Sequence, residues 1–169
     1  LALLKAGKDV ALVTDAGAPG VSDPAYRVVT AAIAAGITLV PLPGPTAIIP
    51  ALTGSGLPLD RFFFEGFPPR TRSGRKKRFP ELKELPHTLV FFESPQRIGS
   101  TVSDALEVFG SRPACIAREI SKIHEEFLRG NLDELNGILQ NRTLKGEIVL
   151  VVAGKQKTKR VKVNKYPQN

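Results

Sequence analysis

Two loops rich in glycine and proline do most to limit the folds open to this chain. They are Asp15-Ala16-Gly17-Ala18-Pro19-Gly20-Val21-Ser22-Asp23-Pro24 and Pro43-Gly44-Pro45-Thr46-Ala47. Each follows a short apolar run, residues 9–14 and 37–42, and one helix-like stretch, residues 24–35, lies between them. The order reads strand, loop, helix, strand, loop. Consecutive parallel strands need such a crossover. Both loops then emerge at the carboxyl edge of one sheet, where open α/β folds take their ligands. The first loop is long for a strand-to-helix connection, which favours a functional role. Its glycines let backbone approach a ligand closely, and the N–H groups ahead of the helix suit an anionic group. Asp23 with Pro24 also reads as an ordinary N-cap and first helical residue. The second loop reads equally as a rigid linker or as a ligand loop offering the Thr46 hydroxyl.

Beyond Gly56-Leu57-Pro58 the texture changes. Residues 61–65, 88–92, 114–118, 126–129 and 147–153 read as strands. Ser94 and Pro95 open a helix whose stripe is Ile98, Val102, Ala105, Leu106 and Phe109, closed by Gly110. Asn131 and Glu134 resemble a capping box for a further helix over 132–140. The stretch 70–78 holds Gly74 and no apolar residue, and so reads as a loop. Leu1 to Gly7 resembles the end of a helix closed by glycine, so the chain is expected to begin inside a domain. The expected organisation is 1–58 as the later part of a first α/β domain with parallel strands, 59–154 as a second, mixed α/β domain, and 155–169 as a basic, mobile tail.

The net charge of +8 is uneven: residues 61–80 hold seven Lys or Arg against one acid, and 155–169 hold six against none. The rest is slightly acidic. Concentrated cationic segments suit a polyanion such as nucleic acid. The apolar runs are too short to span a bilayer, which speaks against a membrane partner. The lone Cys115 fits a reducing cytosol, and two histidines make no metal constellation. No phosphate-binding P-loop or dinucleotide fingerprint is present.

The two loops, in this order, resemble the tetrapyrrole methylase superfamily of S-adenosylmethionine-dependent enzymes, and most closely its ribosomal RNA branch. Phe62-Phe63-Phe64-Glu65-Gly66-Phe67-Pro68-Pro69, Phe91-Phe92-Glu93-Ser94-Pro95-Gln96-Arg97, Ala117-Arg118-Glu119-Ile120-Ser121-Lys122 and Gly146-Glu147-Ile148-Val149-Leu150-Val151-Val152 continue the resemblance. It implies two α/β domains with S-adenosylmethionine in the cleft between them. It implies 2′-O-methylation of a cytidine ribose in 16S RNA of the small ribosomal subunit, a homodimer, and a cytoplasmic location. The cofactor residues implied are Asp15, Gly17, Ala18, Pro19, Val21, Ser22, Thr46, Ala47, Val149 and Leu150. The superfamily's opening strand and its own glycine-rich loop are absent, so this chain is expected to carry only part of the donor site.

A ribose hydroxyl is a weak acid, so methyl transfer to it needs a base or strong positioning. Glu93, Glu119 and Lys122 are the candidate catalytic residues, each equally readable as a structural ion pair. Arg70, Arg72, Arg75, Lys76, Lys77 and Arg78, with Arg97 and Arg118, are the candidate RNA-binding residues. The rival readings are a methyltransferase of corrin or porphyrin precursors, a methyltransferase of a protein side chain, and a non-catalytic RNA-binding module.

Overall fold

Ile148–Val152 is a run of five apolar residues, all buried, and it forms the middle strand of a five-stranded sheet. A strand covered on both faces needs no polar alternation. The computed structural model describes residues 1–156. In chain order the elements are α1 (Ala2–Lys5), α2 (Tyr26–Ala34), α3 (Ile48–Ser55), β1 (Phe62–Gly66), α4 (Arg72–Lys83), β2 (Thr88–Glu93), α5 (Ile98–Phe109), β3 (Pro113–Arg118), β4 (Glu126–Asn131), α6 (Leu132–Asn141) and β5 (Ile148–Val152). The sheet order is β1-β2-β5-β3-β4; β1 and β2 run parallel and the other pairs antiparallel.

Period-two alternation divides the core between the two faces. Leu89, Phe91, Ala114, Ile116, Ile148, Leu150 and Val152 pack with Phe79, Leu82, Ile98, Val102, Phe109, Leu132 and Leu135 of α4, α5 and α6. Val90, Cys115, Ala117, Val149 and Val151 face the other way, against Ala51 and Leu52 of α3. Each large side chain buried this way contributes about 1.5–3 kcal/mol. Burial pushes the Cys115 thiol up to about 11, which keeps it protonated and inert.

Several local expectations change. Residues 9–14 and 37–42 form no strands, so the parallel pair expected in 1–58 is not present among the described residues. A strand exists only through ladder partners, and these runs bond neither to each other nor to the sheet. Val13, Val40 and Leu42 accordingly stand 81%, 74% and 83% exposed. Asp23 does not cap α2, which starts two residues beyond Pro24 behind Ala25. Ser94 accepts the backbone N–H groups of Arg97 and Ile98 in a turn, and α5 begins at Ile98.

The basic stretch is a helix. Thr71 caps it by accepting the Gly74 N–H at 3.1 Å. Its inner face carries Arg75, Phe79 and Leu82, so an arginine occupies a position where an apolar residue marks most helices. The capping box at Asn131 and Glu134 and the left-handed Gly110 after α5 stand as expected. The basic tail lies outside the described residues from 157 onward.

Candidate active site

The register sets Glu93 and Arg118 on either side of Ile148. The carboxyl ends of β2 and β3 thus share one edge of the sheet, with the end of β1 beside them at Gly66. A cavity of about 530 Å³ opens at this edge. Its outer wall is Thr14–Ala18 and Val21–Asp23 from the first loop, and Pro45–Ala47 with Pro50 from the second. Its inner wall is Phe67, Phe92, Glu93, Ile120, Ser121 and Glu147–Val149. Both loops meet at one rim, facing the edge of the sheet, although no strands precede them.

Close contacts fix the walls. A Cβ at Gly66, whose φ is +78°, would lie 3.1 Å from Ser22 Oγ, so the first loop rests directly on the end of β1. Ser22 is itself left-handed, at φ 57°, a costly conformation for serine that persists only where its surroundings over-determine it. The Thr46 hydroxyl accepts the Ile48 N–H at 3.3 Å and turns the second loop into α3. Phe92 touches Phe64 and Phe67, with ring centroids at 4.9 and 5.7 Å.

Of the expected cofactor residues, Asp15, Gly17, Ala18, Val21, Ser22, Thr46, Ala47 and Val149 line the cavity. Leu150 and Pro19 do not line it: strand alternation sends the Leu150 side chain into the opposite core. Asp23 lines the cavity instead of capping a helix. Phe67, Ile120, Ser121 and Glu147 also line the cavity; they stand in the motifs that carry the resemblance but not among the expected cofactor or catalytic residues. Phe67 was the most legible of them, as an aromatic directly past a strand's carboxyl end.

The catalytic candidates are engaged. The Glu93 side chain is 0% exposed. Its Oε1 accepts the Ser94 N–H at 2.8 Å and lies 2.5 Å from Arg97 Nη2, while its Oε2 accepts the Thr101 hydroxyl at 2.6 Å. Both oxygens are therefore committed before any substrate arrives. Glu119 Oε1 accepts the Glu147 N–H at 2.8 Å and Lys122 Nζ at 3.0 Å. These bonds, that of the Glu147 amide first, hold the Glu119 carboxyl below the usual carboxylate range. Glu119 and Glu147 together raise the Lys122 ammonium. A depressed carboxyl and a raised ammonium both make poor bases. Neither residue lines the cavity. Their bonds brace a strained turn, with Glu119 at φ 48° and Ser121 at φ 64°, that carries Ile120 and Ser121 into the wall.

The RNA-binding candidates separate in the same way. Arg75 is buried against Asp104 at 2.7 Å and cannot meet a phosphate, a correction to its expected role. Arg72 pairs with Asp104 and Glu107, Lys76 with Glu107, Arg78 with Glu65 and Glu81, and Arg118 with Glu126. Arg70 and Lys77 are exposed and have no acidic partner among the described residues. Arg97 has a buried Nη1 with no hydrogen-bond partner.

The cavity's chemistry is specific. Asp15 and Asp23 face a wall of aromatic and aliphatic side chains and exposed loop backbone. That combination suits a molecule with a cationic centre and a flat apolar ring. Among the described residues no group of three or more His, Cys, Asp or Glu could hold a metal ion, and no helix is long and apolar enough to cross a membrane.

Residues 1–136 match the family model described as tetrapyrrole (corrin/porphyrin) methylases. The chain is 48% identical over 155 residues to the ribosomal RNA small subunit methyltransferase I of Micromonospora olivasterospora, covering 91% of this chain and 50% of that protein. The protein of the same name from Thermotoga maritima is 44% identical, over 92% of this chain and 70% of its own length. The chain spans about half the length of most such curated relatives. Among solved structures, the methyltransferase CobJ superposes with a TM-score of 0.67 at 20% identity, over 93% of this chain and 70% of CobJ. A uroporphyrin-III C-methyl transferase from Thermus thermophilus, complexed with S-adenyl homocysteine, gives 0.55 at 18% identity, over 81% and 62% of the two chains. At such identities the likeness extends to the fold.

Proposed function

The chain belongs to the tetrapyrrole (corrin/porphyrin) methylase family, and from that premise we propose that the full-length protein transfers a methyl group from S-adenosylmethionine to a ribose 2′-hydroxyl of cytidine in small-subunit ribosomal RNA. The observation that carries the donor half is the convergence of both Gly/Pro loops on one cavity at the sheet's carboxyl edge. The relatives' shared name carries the RNA half. Residues 1–58 serve as the donor-side unit and 59–154 as the second lobe, with a homodimer working in the cytoplasm.

The residues present fit the donor. Asp15 and Asp23 offer carboxylates to its cationic groups, and Phe92, Ile120 and Val149 offer apolar faces to its ring. The loop backbone of Gly17, Ala18 and Ala47 lies at the wall, where main-chain groups bond a ligand without side-chain bulk. The sulfonium supplies a methyl group activated for in-line displacement. The protein's part is to align it with the hydroxyl and exclude water. Glu93, Glu119 and Lys122 are each tied into internal bonds, so none of these three takes up the proton that the hydroxyl releases as the methyl group is transferred.

The test is transfer of labelled methyl from S-adenosylmethionine by the full-length protein to small-subunit particles or to a tetrapyrrole. Label is expected in RNA, at a linkage resistant to alkali, because a 2′-O-methyl group removes the hydroxyl that attacks the phosphodiester. Label in the tetrapyrrole alone would overturn the RNA assignment.

A further inference from the structure

Arg75 is the basic side chain of residues 70–78 that solvent does not reach, with only 4% of it exposed. Its guanidinium spans two separate stretches of chain. Nη1 donates to the carbonyls of Pro69 at 3.2 Å and Arg70 at 2.9 Å. Nη2 donates to Ser100 Oγ at 3.2 Å, and Ser100 donates in turn to the Arg97 carbonyl at 2.9 Å. Asp104, bonded to Nε at 2.7 Å, balances the charge. The segment leaving β1 is thereby pinned to the first turn of α5. Arg70 is exposed and without an acidic partner among the described residues. Glu93 and Ser94 fix Arg97 through Nη2 and Nε and its Nη1 is buried, so Arg97 belongs to the internal network that Arg75 joins. The segment also carries Phe67, which lines the cavity while remaining 53% exposed.

We propose that Arg75 is a positioning residue: it holds Arg70 as a clamp on an RNA backbone phosphate, and holds Phe67 as the face on which a substrate base stacks. This rests on the RNA methyl transfer proposed above. Single-stranded RNA presents both features the clamp needs, a phosphate run and an unstacked base. The fork of an arginine suits the brace, because five donors in one plane can tie two segments where a lysine cannot.

The experiment measures binding of a labelled single-stranded RNA oligonucleotide to the full-length protein across salt concentrations, with calorimetry of S-adenosylmethionine on the same samples. Arg70→Gln is expected to reduce the log–log salt slope by about 0.7, the effect of one lost phosphate contact to a single strand. Phe67→Ala is expected to weaken RNA binding about tenfold, as for a lost stacking face, with the slope unchanged. Arg75→Lys keeps the charge but loses the span, and is expected to lower the slope as Arg70→Gln does. Should that variant unfold, Ser100→Ala, which removes the α5 hydroxyl that Arg75 Nη2 bonds, is expected to lower the slope instead. Unchanged slopes in Arg70→Gln and in the brace variant overturn the clamp. Loss of S-adenosylmethionine affinity rather than RNA affinity in Phe67→Ala overturns the stacking role. Expected slopes in a protein that takes up no S-adenosylmethionine would uphold the clamp and overturn the methyl-transfer reading.

Discussion

Gly54 packs so closely against Phe127 that a Cβ at Gly54 would overlap the ring. Arg129 closes the joint: its Nε donates to the Gly54 carbonyl at 2.9 Å, and its guanidinium lies 5.0 Å from the centroid of the same ring. The joint seats the last turn of α3 on β4, and the start of the same helix presents Ala47 to the cavity. Gly54→Ala is expected to destabilise the fold by about 1–3 kcal/mol, the usual cost of overpacking. It should also weaken S-adenosylmethionine binding by the full-length protein. Urea unfolding and calorimetry check both; an unchanged urea midpoint would show that the ring yields freely.

The region of 59–154 was legible in the sequence because its signals are local. The short apolar strand runs, the capping box at Asn131 and the stripe from Ile98 to Phe109 each follow from local composition and spacing. The region of 1–58 was legible only in its loops. The runs at 9–14 and 37–42 have strand composition, but a ladder depends on partners that local composition does not supply. The helix at 72–83 was misread because its buried face holds Arg75, whose partner Asp104 is distant in sequence. For the site, residues on the two loops were found by pattern. Ile120 and Ser121 were not, because their place depends on a turn with positive φ at Glu119 and Ser121 that sequence does not announce.

Removing the Glu93 carboxylate leaves Arg97 without its ion-pair partner and takes an acceptor from Ser94 and Thr101. Glu93→Ala is expected to lose about 3 kcal/mol, the scale for breaking a buried pair. Glu93→Gln keeps one acceptor oxygen and should fall between Ala and wild type. Denaturant titration of the three proteins gives the order directly, and a Gln variant as stable as the wild type would contradict the structural role.

Acid should unfold the protein through its paired surface carboxylates. The Glu147 amide and Lys122 hold Glu119 below the ordinary range, Arg142 and Arg118 hold Glu126 there, and Lys76 and Arg72 hold Glu107 there. In the unfolded chain these groups take up protons at ordinary carboxylate values, about 4.3 for glutamate. The folded protein binds fewer protons in that window, so stability is complete above it and is lost as pH falls through the depressed folded values. Urea midpoints are expected to stay level from neutrality to about pH 5 and then to decline. A midpoint that holds at pH 3 would contradict the pairing.

The central claim is that the two Gly/Pro loops and the sheet's carboxyl edge together form the seat of the methyl donor. Calorimetric titration of S-adenosylmethionine into the full-length protein tests it most directly, with Ala18→Trp and Ala47→Trp as variants that fill the cavity from each loop. The account predicts saturable binding to the wild type and at least a tenfold loss in both variants, a difference of about 1.4 kcal/mol. Wild-type protein that takes up no donor, or variants that bind it as tightly as wild type does, would contradict the account.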